Sequence, residues 1–161
     1  MSSVAGSLSS VCWRYCTCYY KLMADNKTMY YFAYNTNLNK KQMAKHCPGS
    51  KPRFTAELPN YKLVFSGWSR QWRGGVAGIK LSRRDKVLGA VYEISDIDLA
   101  RLDKLEDCPG SYSRLKVTVY RDTGEPVEVI TYIKSRLPEE SKPSPEYLSI
   151  IQQGYRDWGL V

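Results

Sequence analysis

At 161 residues, 43% apolar and 12% aromatic, the chain is long enough to bury one hydrophobic core and too short to make two the expectation. Its 24 Lys and Arg against 16 Asp and Glu give a formal charge of +8, but the cations are scattered and no nucleic-acid reader motif accompanies them, so the charge reads as a solvated surface. No apolar run approaches the roughly 18 residues of a membrane-spanning helix, and five cysteines without zinc spacing, beside a single histidine, read as free thiols in a reducing cytoplasm.

The first 28 residues differ from the rest. "MSSVAGSLSSVCWRYCTCYYKLMADNK" is Ser-rich and then aromatic and holds Cys12, Cys16 and Cys18, yet Arg14 and Lys21 interrupt every stretch that could serve as the apolar core of a signal peptide. The domain is expected to start near Met29, with residues 1–28 a loosely ordered extension. In "MYYFAY", Tyr30, Phe32 and Tyr34 alternate with Tyr31 and Ala33, the pattern of a strand with one face in the core. Asn35-Thr36-Asn37-Leu38 ends that strand, and "NKKQMAKHC" reads as a short helix after it. "YKLVFSGW" is a second strand. "GVAGIKL" and "KVLGAVYEI" flank "SRRD" as one hairpin, and "RLKVTVY" and "PVEVITYI" flank "RDTGE" as another. Glycines 75, 78 and 89 fall in or beside these strands, where they mark bulges and the curvature a barrel needs.

Two longer helices carry start and stop signals. "SDIDLARLDKLEDCPG" has Ser95 as N-cap, Asp98 three residues on and a Pro109-Gly110 stop; "SPEYLSIIQQGYRDWG" has Ser144 as N-cap, Pro145 in the first turn and Gly159 at its end. Without internal repeats or βα alternation, the class is a β-rich α+β domain.

The first of these helices presents a candidate acid. At about 100° per residue, Leu99, Leu102 and Leu105 form an apolar stripe and Glu106 falls about 40° from its centre, whereas Asp103, Lys104 and Arg101 lie further round. A carboxylate aimed at the core is raised toward neutrality by burial, the range in which it can both take and return a proton. The plainer alternative is a helix-end charge paired with Lys104 or Arg101. The Asn-Thr-Asn-Leu turn is the candidate partner, because successive backbone N–H groups at a strand end can cradle a carboxylate. An ordinary Asx turn is its plainer reading.

Together these stretches resemble a family. "YFAYNTNL" is similar to the "YFAYGSNL" stretch of the γ-glutamylcyclotransferase-like (AIG2-like) proteins, "LDKLED" resembles their "LDxxEG", Tyr112 follows at a similar interval, and "PSPEYLSIIQQGYRDWGL" is similar to their C-terminal helix. The resemblance covers nearly all of residues 29–160. It implies a small mixed β-barrel with flanking helices that cyclises a γ-glutamyl group to 5-oxoproline without metal or cofactor. It further implies Glu106 as the catalytic acid, Tyr34, Asn35, Thr36, Asn37 and Leu38 as the substrate-holding turn, and Tyr112 as a pocket residue. The implied partner is a small γ-glutamyl compound, with neither nucleic acid nor membrane. Departures stand at Asn35, Thr36 and Asp107, in place of glycine, serine and glycine, and at His46, where arginine is frequent. A module that keeps the fold and binds without turnover is the alternative that Asn35 motivates.

Other residues carry weaker signals. "SGWSRQWRGG" sets Trp68, Arg70, Trp72 and Arg73 on a loop that could line the leaving-group side or stay structural. His46 and Cys47 are adjacent, and adjacent residues rarely face each other. Tyr132 is expected in the core and Asp103 on the surface.

Overall fold

The structure, a computed structural model, describes residues 28–161. The expected loose extension falls outside the described residues except for Thr28. The chain runs β1 (Met29–Ala33), a single 3-10 turn (Thr36–Leu38), α1 (Lys40–His46), β2 (Lys51–Ser69), β3 (Gly74–Ile94), α2 (Asp96–Leu105), β4 (Tyr112–Tyr120), β5 (Pro126–Lys134) and α3 (Pro145–Asp157). The strands close a barrel in the order β1-β3-β2-β4-β5. Only the β1–β5 seam is parallel, which makes the barrel mixed.

β2 and β3 are long, 19 and 21 residues, and pair antiparallel from end to end. Ser82–Asp85 is therefore not the turn of a hairpin, as its polar composition suggests. Pro59 pairs with Lys86 and Tyr61 with Leu81, so the quartet bulges outward opposite Asn60 and the ladder resumes beyond it. Asn60 and Arg84 take left-handed backbone to make the bulge, at φ 64° and 73°. The chain reverses at residues 70–73, a turn that holds Trp72. The second hairpin forms as read, with Gly124 at φ 84° in its turn.

β1 is buried on both faces, where the alternation suggested one. Phe32 and Tyr34 enter the barrel interior with Leu58, Ile79, Val91 and Val119. Tyr31 and Ala33 face a second cluster with Met43 of α1, Leu99 and Leu102 of α2, and Tyr132. The helices cover the outside of the strand, and each large side chain they bury is worth roughly 1.5–3 kcal/mol. Gly89 lets this strand come close, since a Cβ there would sit 2.5 Å from the Ala33 carbonyl oxygen and the Phe32 ring.

α2 starts in a capping box, Ser95 accepting from the Asp98 amide while Asp98 accepts from the Ser95 amide. Its buried side is Asp98, Leu99 and Leu102, and Glu106 continues it as C-cap. Leu105, expected in the apolar stripe, is 45% exposed because the stripe turns toward Glu106 instead. α3 starts at the Ser144 cap with Pro145 in its first turn, and Gly154 lets it press on the 3-10 turn, a Cβ there meeting the Asn39 amide at 2.7 Å. Among the described residues no helix is long and apolar enough to cross a membrane.

Candidate active site

The turn after β1 is built by its own asparagines. Asn35 Oδ1 accepts the Asn37 amide at 3.0 Å, and the amides of Leu38 and Asn39 close onto the carbonyls of Asn35 and Thr36. Asn39 then caps α1 by accepting from the amides of Lys41 and Gln42. The amides of Asn37, Leu38 and Asn39 are thus engaged within the turn, which leaves Asn35 and Thr36 as the positions able to offer theirs. The turn is pinned from behind: Trp158 donates its indole N–H to the Leu38 carbonyl at 2.8 Å, and Asn37 sits between the Tyr31 hydroxyl at 3.2 Å and His46 Nδ1 at 3.3 Å.

The same turn meets the end of α2. Asn35 Nδ2 donates to Glu106 Oε1 at 3.1 Å across 71 residues of chain. The Glu106 amide closes the helix onto the Leu102 carbonyl at 2.9 Å, and the chain reverses at Asp107, where φ is 50°. Asp107 occupies this left-handed position by accepting from the amide and hydroxyl of Ser111, a local bond that glycine could not make.

Glu106 is 8% exposed and opens into a cavity of about 320 Å³. Asn35 and Thr36 line it from the turn, Gln42, Lys45 and His46 from α1, Ser69, Gln71, Trp72 and Val76 from the β2–β3 connection and its flanking strands, and Leu105, Tyr112 and Tyr147 from α2, β4 and α3. The two tyrosines hold one residue of β3 by its two backbone groups: Tyr112 donates its hydroxyl to the Ala77 carbonyl at 2.8 Å, and Tyr147 accepts the Ala77 amide at 2.8 Å. Trp72 lies against Tyr147 with ring centroids 5.1 Å apart.

Burial raises the pKa of Glu106, and the Asn35 hydrogen bond holds back part of that rise. No ion pair reaches Glu106 among the described residues, so the pairing with Lys104 or Arg101 does not form. Tyr112 and Tyr147 are pushed up, first by burial, and stay neutral phenols. His46 is lowered by burial and then by Lys45, which favours the neutral ring near pH 7. Cys47 is turned away from it, donating Sγ–H to the Asp98 carbonyl at 3.6 Å, and burial pushes the thiol up to about 11.

Of the residues singled out in the sequence, the structure brings Glu106, Asn35, Thr36 and Tyr112 to one cavity. Tyr34, Asn37 and Leu38 lie behind its wall: Tyr34 donates to the Tyr132 carbonyl at 2.6 Å, and Leu38 is fully buried. Trp72 lines the cavity, whereas Trp68 is 72% exposed and neither Arg70 nor Arg73 reaches it. Gln42, Lys45, Val76 and Tyr147 are cavity residues that the sequence reading did not single out. Tyr147 alone had a signal, its place on the buried side of α3, and that signal is shared by every core residue.

A closed five-stranded mixed barrel with a buried carboxylate facing a strand-end turn defines the class. The family model described as gamma-glutamyl cyclotransferase, AIG2-like, matches residues 31–157, and the chain belongs to that family. It is similar to the gamma-glutamylcyclotransferase of Bos taurus, 32% identical over 141 residues that cover 84% of this chain and 74% of that protein. The Homo sapiens gamma-glutamylcyclotransferase is 31% identical over the same length and coverage. A solved structure described as gamma-glutamyl cyclotransferase superposes with a TM-score of 0.79 at 30% identity, covering 83% of this chain and 82% of that one.

Proposed function

We propose that the protein is a γ-glutamylcyclotransferase-type enzyme, converting a γ-glutamyl amine or peptide to 5-oxoproline and the free amine. The observation that carries this reading is a buried carboxylate that has no cationic partner among the described residues and opens into a cavity rimmed by the strand-end turn. Relatives named for the same reaction, matched over 74% of their own length, support it.

In the proposed reaction the α-amine nitrogen attacks the γ-carbonyl carbon of the same molecule. A carbon–nitrogen bond closes the five-membered ring as the original γ-amide bond breaks. Glu106 takes the proton from the attacking amine and returns it to the departing one, so the carboxylate is regenerated. Attack within one molecule needs chiefly a bent, near-attack pose. Asn35 and Thr36 hold that pose with their amides and the Thr36 hydroxyl, Tyr34, Asn37 and Leu38 stiffen the turn from behind, and Tyr112 shapes the cavity. Lys45 at the cavity wall suits the substrate's carboxylate. The reaction is an intramolecular acyl transfer of lyase type, and the free thiols Cys47 and Cys108 support a cytoplasmic setting.

The test is 5-oxoproline release from a panel of γ-glutamyl amines, peptides and ε-lysyl compounds. Release that Glu106→Gln abolishes is the expected result. Binding of a γ-glutamyl compound with no release from any member of the panel would leave a binding module in place of an enzyme.

A further inference from the structure

Resting on the proposed reaction, we infer that Asn35 is a positioning residue for Glu106, holding Oε1 as a fixed acceptor so that the proton is taken and returned through Oε2. The orientation of the Asn35 amide is set by the backbone. Its Oδ1 must face the Asn37 N–H, 3.0 Å away, because an amide NH2 group there would set donor against donor. The Nδ2 end therefore faces Glu106 Oε1, at 3.1 Å.

An amide NH2 donates and does not accept. Oε1 consequently stays an acceptor in both states of the carboxyl group, and the acidic proton resides on Oε2. In the forward step the N–H bond of the attacking amine breaks and an Oε2–H bond forms; in the return step Oε2–H breaks and the proton joins the leaving nitrogen. Oε1 acts throughout as the oxygen that accepts from Asn35. A second consequence is electrostatic, since the contact favours the charged form and opposes burial.

The other groups facing Glu106 do not reproduce this. Tyr31 from β1, Tyr34 just after it, Tyr112 from β4 and Tyr147 from α3 are neutral phenols around it. Lys45 and His46 from α1 are the basic side chains of the cavity, and neither is hydrogen-bonded to Glu106 among the described residues. Asn35 is the side chain that bonds it.

The test separates the cap from the contact. Asn35→Ser keeps a short acceptor for the Asn37 amide but cannot reach Glu106, while Asn35→Asp keeps the shape and sets a second carboxylate beside it. The Glu106 side-chain carbon is followed by carbon-13 NMR against pH, with Glu106→Gln assigning the resonance, and 5-oxoproline release is measured over the same range. Glu106 is expected to titrate at higher pH in both variants, further in Asn35→Asp, with the acid limb of kcat/KM moving by the same interval. In Asn35→Ser the plateau falls by about tenfold, the value of one charge-assisted hydrogen bond. A Glu106 titration unchanged in both variants, or a limb that fails to follow it, would overturn the inference. A parent protein that releases no 5-oxoproline would overturn the reaction instead, and the titration would still decide the contact.

Discussion

Asp103 and Glu106 stand three residues apart at the end of α2 and live in opposite surroundings. Asp103 accepts from the Tyr132 hydroxyl at 2.6 Å and pairs with Arg114, and first Arg114, then Tyr132, hold its carboxyl below the usual range. Among the described residues, Glu106 is hydrogen-bonded through its side chain to a neutral amide alone, and burial moves it the other way. Asp103 ties the helix to β4 and β5; Glu106 is left able to change its charge. A structural carboxylate is one whose charged form is satisfied, whereas a carboxylate suited to proton transfer is one whose charged form is only partly satisfied.

Several substitutions break this contrast. Glu106→Gln keeps the shape and can still accept from Asn35, so substrate should bind nearly as before while turnover falls by about 100-fold to 10,000-fold. Single-turnover 5-oxoproline release with a binding isotherm checks both halves, and unchanged turnover would remove Glu106 from the reaction.

A smaller effect concerns stability against pH. The folded pKa of Glu106 lies above its unfolded value, so its burial costs nothing below the ordinary carboxylate range. The cost grows as pH rises through the folded value and is full above it. Glu106→Gln is therefore expected to stabilise the fold by roughly 1 kcal/mol near pH 7 and to lose that gain below about pH 4. Thermal melting of both proteins across that range measures it.

Asp103→Asn should do the reverse with little effect on chemistry. The depressed pKa contributes stability above the unfolded value that is lost as pH falls through the folded one. Because Arg114 is 48% exposed, solvent screens the pair, and the substitution is expected to cost about 1 kcal/mol at neutral pH. Denaturant unfolding reads the cost, and a turnover loss comparable to that of Glu106→Gln would erase the contrast. Smallest of all is Arg70→Ala, which lies outside the cavity wall and should change turnover by no more than about twofold. A larger loss would place the loop in the reaction.

Much of the frame was legible because its signals are local. Ser95 with Asp98 and Ser144 with Pro145 announce the two longer helices through bonds closed within one turn. Gly124 marks the β4–β5 turn in the same way. Reading failed where a local pattern met a distant partner. Ser82–Asp85 has the composition of a turn, yet β2 runs alongside on both sides of it and keeps the strand going. Leu105 completes an apolar stripe on paper, but the barrel surface beneath α2 favours the side that carries Glu106. The alternation in β1 gives no warning that helices cover its second face.

By itself the sequence determined the capped starts of the two longer helices, the β4–β5 hairpin and the α+β class, and it marked two candidate stretches, the Asn-Thr-Asn-Leu turn and the helix ending in Glu106, since spacing, caps and turn residues act between neighbours in the chain. Only the tertiary structure decided that Asn35 would meet Glu106, that Tyr34, Asn37 and Leu38 would stand behind the wall, and that Gln42, His46, Gln71 and Tyr147 would share a cavity with them. Burial, cavity walls and the displacement of a carboxyl pKa arise from groups far apart in the chain that closure of the barrel brings together.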